Sequence, residues 1–116
     1  MAMIIKSFEE IIAWQKAREL AKEIYKLCNP LKDYGFRDQL QRAAVSIMNN
    51  IAEGFERQSN KELKQFLFIA KGSSGEVRSM LYLSSELGYV SNAMANELNN
   101  KTMEISRLLS GFIKTL

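Results

Sequence analysis

Residues Gln39 to Phe55, QLQRAAVSIMNNIAEGF, constrain this chain more than any other stretch. Wound at about 100° per residue, Phe36, Leu40, Ala43, Ala44, Ile47 and Ile51 form one apolar band. Val45, Met48, Ala52 and Phe55 carry that band round the far side. Together they span roughly 200°, against the roughly 100° stripe that a surface helix needs. Gln39, Arg42, Ser46, Asn49, Asn50 and Glu53 make a narrow polar strip. A helix this apolar must be covered on two sides. In a small chain the second cover is expected to be another copy of the same protein, met through Val45, Met48, Ala52 and Phe55.

With 116 residues, the chain is expected to be a single domain, residues 1–116, able to build one core without staples. One proline and six glycines leave little punctuation, so long regular elements are expected. The net charge of +3 permits a polyanionic partner without demanding one. Cys28 is the only cysteine, which excludes an intrachain disulfide. Its place at the end of an apolar stripe points to a buried, inert thiol. The N-terminus lacks the charged start and long apolar core of a signal peptide. No apolar run reaches the roughly 20 residues of a membrane span. A cytoplasmic protein without membrane contact is expected.

Four helices follow from the periodicity, over about 8–28, 36–54, 60–87 and 91–114. Ser7 and Glu10 make a capping box. Behind it Ile11, Trp14, Ala17, Ala21, Ile24 and Cys28 recur at three and four, widened by Leu20 and Leu27, until Asn29-Pro30 stops the helix. A turn around Gly35 should lead into the second helix. Ser59 and Glu62 form another box, followed by Leu63, Phe66, Leu67, Ala70, Ser74, Val77, Leu81 and Ser84 on one face. Gly88 suits a left-handed cap. Ser91 caps a fourth helix whose inner face is read as Met94, Leu98, Ile105, Leu108, Leu109, Phe112 and Leu116. Short connections force neighbours antiparallel. The expected fold is an all-α, up-down-up-down four-helix bundle. Gly72-Ser73-Ser74-Gly75 leaves the third helix in phase, so it should continue through. Two glycines cost such a helix roughly 1 kcal/mol each, for which close approach of a neighbouring helix is the expected compensation.

The segments FEEIIAWQKARELAKEIY, QLQRAAVSIMNNIAEGFERQS, KELKQFLFIAKGSSGEV and LSSELGYV resemble the bacterial four-helix-bundle family of large-subunit ribosomal RNA intervening-sequence proteins. The resemblance runs over residues 8–113, and NIAEG with the later GS-x-x-E is its most specific part. It implies a homopentameric ring around a central opening. A related branch, the accessory variability determinant of diversity-generating retroelements, binds nucleic acid and a reverse transcriptase. RNA or DNA, or a protein encoded nearby, is therefore an implied partner. Where the family reads SIPSNIAEG, this chain has Met48 and Asn49 in place of proline and serine. Losing that proline restores an N–H and should straighten the second helix.

Gln39, Arg42, Ser46, Asn50 and Glu53 share one edge of the second helix, and antiparallel pairing brings Ser73 and Glu76 close. Two carboxylates could serve as acid and base. Yet the chain has no histidine, so the Glu-x-x-His pattern of di-iron bundles is missing, as is any Cys-x-x-Cys zinc spacing. Glu53 is expected to pair with Arg42, or to accept from backbone donors and Asn50. The set reads as a structural network, because unpaired buried charge is costly. Ser73, Ser74 and Cys28 lack a histidine base. GSSG follows no strand and lacks the ending of a phosphate loop. No enzyme, metal or cofactor is expected.

The strongest functional signal is a stripe on the third helix: Lys61, Lys64, Phe68, Lys71, Gly75, Arg78 and Tyr82. Arg57 would extend it. Four cations interleaved with two aromatics make a phosphate track with stacking platforms. The same stripe also suits a solvated face whose aromatics cover a subunit contact, with lysine stems packed alongside. Trp14 is expected to be a core anchor, and the six methionines to be packing residues.

Overall fold

The computed structural model describes residues 4–116. Four helices fill it: α1 (Ile12–Cys28), α2 (Tyr34–Glu56), α3 (Asn60–Glu86) and α4 (Asn92–Lys114), with no strand among the described residues. They enclose one core, in which Leu20, Ile24, Leu40, Ile47, Ile51, Leu67, Leu81, Leu98, Ile105 and Leu109 are fully buried. Each such side chain contributes about 1.5–3 kcal/mol through removal from water. Trp14 is buried among them, as its spacing predicts.

The chain begins differently from the expected helix start at residue 8. The Glu10 carboxylate accepts from the Lys6 and Ser7 backbone N–H groups at 3.1 and 3.0 Å, but the box closes only a 3₁₀ turn, Phe8–Glu10. Ile11 is extended (φ −75°, ψ 118°), and α1 starts after it. The turn packs on both α1 and α2, with the Phe8 ring edge-on to Trp14 at 5.1 Å.

The second helix, by contrast, starts early, at Tyr34 rather than residue 36. The Asp33 side chain accepts from the Phe36 N–H at 3.2 Å, which places Gly35 inside α2 rather than in a turn. From there α2 runs unbroken through Met48 to Glu56. Its apolar back is not homeless within the single chain: Val45, Met48, Ala52 and Phe55 are half-buried and pack against the chain's own core, as do Ile5 and Phe8. Half-buried in this way, the four residues do not by themselves require a second copy of the chain.

Ser59 caps α3 by accepting from the Glu62 N–H at 3.3 Å, and the helix continues through GSSG as expected. Among the described residues no neighbouring helix approaches its two glycines closely. A Cβ on Gly72 or Gly75 would meet nothing within 4 Å, whereas one on Gly54 would lie 2.6 Å from the Phe66 Cβ. The close approach is at the α2–α3 crossing, and the glycine that permits it ends the NIAEG run. At the far end of α3, Gly88 is left-handed (φ +75°) and the Tyr89 N–H reaches the Ser84 carbonyl at 2.9 Å.

On α4 the inner face is rotated slightly from its expected centre. Met94 is 42% exposed, while Ala95, Asn99, Thr102 and Ile113 are buried. At 100° per residue Met94 lies on the rim of this set. The α3–α4 seam is consequently polar. The buried Ser74 hydroxyl donates to the Thr102 carbonyl at 3.0 Å, and the Thr102 hydroxyl donates to the Asn99 carbonyl at 2.7 Å.

Candidate nucleic-acid interface

Lys61, Lys64, Phe68, Lys71, Arg78 and Tyr82 are all exposed on the outer side of α3, which spans about 40 Å at 1.5 Å per residue. Phe68 and Tyr82 are 53% and 56% exposed, so neither belongs to the chain's core. None of the four cations makes an ion pair among the described residues. Arg57 does not extend this free charge. It pairs with Glu53 at 3.1 Å and Glu62 at 3.7 Å, and its guanidinium lies 5.1 Å from the Phe66 ring centroid.

The structure adds a second row that the sequence reading missed. Lys71 and Arg78 from α3 face Arg107 and Lys114 from α4 across a groove of about 480 Å³, lined also by Met103, Ser106, Ser110 and Gly111. Among the described residues no carboxylate lines it, and neither Arg107 nor Lys114 is ion-paired. The spacing of Met103, Arg107, Gly111 and Lys114 on α4 carries this signal. What it lacks is any indication of the helix that α4 faces. Ile69 and Leu83 on α3, with Leu87 at its C-cap, form a further exposed apolar row. By spacing they share a side with Glu76, whose carboxylate accepts from the Gln39 amide of α2 at 3.3 Å.

The expected polar network is divided. Ser46 and Ser73 share a hydrogen bond of 2.9 Å across α2 and α3. The Asn50 amide donates to the Ser46 hydroxyl and carbonyl at 2.9 and 2.8 Å. Arg42 is exposed and joins neither this group nor Glu53. Glu53 and the Gln39 partnered by Glu76 lie about 21 Å apart along α2, so the two carboxylates do not form an acid–base pair. Among the described residues no three His, Cys, Asp or Glu side chains gather as metal ligands, and no helix is long and apolar enough to cross a membrane. Cys28 is fully buried, and burial pushes its thiol up to about 11, opposed weakly by Arg37.

These features define an all-α protein with four helices and a carboxylate-free basic groove on one side. Residues 9–111 match the model of the 23S rRNA-intervening sequence protein family, and the chain belongs to that family. Among solved structures it is similar to a protein of unknown function from the S23 ribosomal protein family of Bacteroides thetaiotaomicron. The two are 29% identical with a TM-score of 0.84, over 89% of this chain and 99% of that one. No curated protein matches.

Proposed function

We propose that this family member is a non-enzymatic, cytoplasmic, homo-oligomeric scaffold that binds single-stranded nucleic acid along α3. The observation that carries the reading is the exposed run from Lys61 to Tyr82, with four unpaired cations, two exposed aromatics and no acid between them on that face. Unpaired cations supply affinity by displacing counterions from phosphates. Exposed rings supply sequence-tolerant stacking.

The bundle is read as antiparallel, up-down-up-down. In support, Gln39 and Ser46 bond to Glu76 and Ser73, and Ser74 and Ser85 bond to Thr102 and Asn92. Numbers rise on one helix as they fall on the other. A pentameric ring is proposed from family resemblance, with Val45, Met48, Ala52 and Phe55 at the contact. A ring would repeat the stripe, so that several weak contacts act together.

Fluorescence anisotropy with single-stranded RNA and DNA, alongside light scattering, tests both parts. Binding should fall steeply with salt, by roughly 0.7 in logarithmic slope per neutralised phosphate. Lys64→Glu with Lys71→Glu should abolish it and leave the oligomer intact. Scattering should give several times the 13.3 kDa protomer mass, and a monodisperse monomer at micromolar concentration rejects the ring. Ile69, Leu83 and Leu87 favour a second reading, a scaffold for a protein partner alone. That reading leads if neither RNA nor DNA binds at about 50 mM salt.

A further inference from the structure

The α3–α4 groove contains a hydroxyl whose direction is fixed from beneath. Ser74 is fully buried, and its oxygen lies 3.0 Å from the Thr102 carbonyl, an atom that can only accept. A serine has one proton, so that of Ser74 goes to Thr102. Ser106 then supplies the proton for its own 3.1 Å contact with Ser74. With its single proton turned inward, Ser106 presents lone pairs to the groove it lines. The groove therefore offers four cations and, beside them, one committed acceptor.

A ligand that satisfies both must carry an anion and a neighbouring hydrogen-bond donor. A DNA backbone has the phosphate alone. A ribose places its 2′-hydroxyl next to the 3′-phosphate, and that hydroxyl can donate. Lys71 and Arg78 belong both to the exposed stripe and to the groove, so a strand tracking α3 is led into it. The space suits a single strand, since about 480 Å³ falls at the scale of one small ligand. Gly111 keeps the α4 wall bare, and no packing demands it, because an added Cβ would meet nothing within 4 Å.

We propose that the α3–α4 groove holds an RNA backbone, with phosphate held by Lys71, Arg78, Arg107 and Lys114 and the ribose 2′-hydroxyl donating to Ser106. This deepens the nucleic-acid reading and rests on it. The protein should prefer RNA to DNA of identical bases.

The test is anisotropy on the full chain with oligo-U, oligo-dU and 2′-O-methyl oligo-U of equal length, at about 50 mM salt. Oligo-U should bind about twofold to tenfold more tightly than oligo-dU, the range of one net hydrogen bond. The 2′-O-methyl strand, which keeps the ribose but loses the donor, should fall to the level of oligo-dU. Ser106→Ala should erase the preference by bringing oligo-U down to the level of oligo-dU. Arg107→Glu with Lys114→Glu should weaken every strand and flatten the salt slope. Equal binding of oligo-U and oligo-dU by the wild type overturns the sugar contact without needing any variant. Unchanged binding by the Arg107 and Lys114 variant, when Lys64→Glu with Lys71→Glu abolishes it, overturns the groove but leaves the stripe standing. Failure of all three strands to bind overturns the nucleic-acid reading itself.

Discussion

Arg42 and Glu53 stand eleven positions apart on α2, about 16 Å along the axis, and at that separation two side chains on one helix cannot pair. Glu53 turns instead to Arg57, one turn away at the i, i+4 spacing that brings helix side chains together. Its side chain is 55% exposed, and exposed pairs of this kind contribute little. Glu53→Ala should therefore change stability by less than about 0.5 kcal/mol in urea unfolding. A loss of about 2 kcal/mol or more would show that Glu53 serves a buried partner. The residues that do interlock are Ser46, Asn50 and Ser73, and these are uncharged. Burying them between α2 and α3 requires no desolvated ion.

At the scale of elements, glycine separates the two middle helices. Gly54 sits where α2 meets α3, and its missing Cβ is space that the Phe66 Cβ nearly fills. Phe66 cannot retreat by rotating a distal bond, since the conflict is with its own Cβ. Gly54→Ala should cost about 1–3 kcal/mol through overpacking, more than offsetting the roughly 1 kcal/mol gain in helix propensity. Gly75→Ala should do the reverse and stabilise α3 by about 0.5–1 kcal/mol, since only open space surrounds it. Denaturant midpoints of the two variants should move in opposite directions. A destabilised Gly75→Ala protein whose mass by scattering also falls would place a neighbouring subunit against that face.

For the molecule as a whole, three contacts point to one pH response. Burial raises the Cys28 thiol to about 11 from 9.0. The hydrogen bond to Asp33 raises the Tyr89 hydroxyl, with burial and the charge of Asp33 acting in the same direction. The hydrogen bond to Glu23 raises the Lys101 ammonium above 10.5, against a smaller opposing effect of burial. In each case the folded state holds its proton more tightly than the unfolded chain. Where the native state binds more protons, stability falls as pH rises. These three groups contribute no slope below about pH 9, then a decline through pH 9 to 11 and beyond. Urea midpoints between pH 7 and 11 measure it, and Cys28→Ala should reduce the slope between 9 and 11. An undiminished slope in that variant would show that the thiol titrates normally.

Periodicity determined four helices, the unbroken passage through GSSG and most of the buried faces. A stripe such as Ile47, Ile51 or Leu67, Ala70, Ser74 states where a residue sits around its own axis, and burial of that stripe is what makes the helix. The caps at Ser59, Gly88 and Ser91 were equally legible, being contacts within a few residues. The exposed row from Lys61 to Tyr82 was readable for the same reason. Sequence could not say which helix lies beside which side of that row. Only the tertiary structure brought Arg107 and Lys114 to Lys71 and Arg78, set Phe66 on Gly54, and folded Phe8 back towards α2. It alone turned the Ser106 proton inward, since that direction depends on Ser74 and Thr102, two residues separated from each other by a whole connection. Helical period fixes an angle about one axis, whereas a site between helices depends on the register of two.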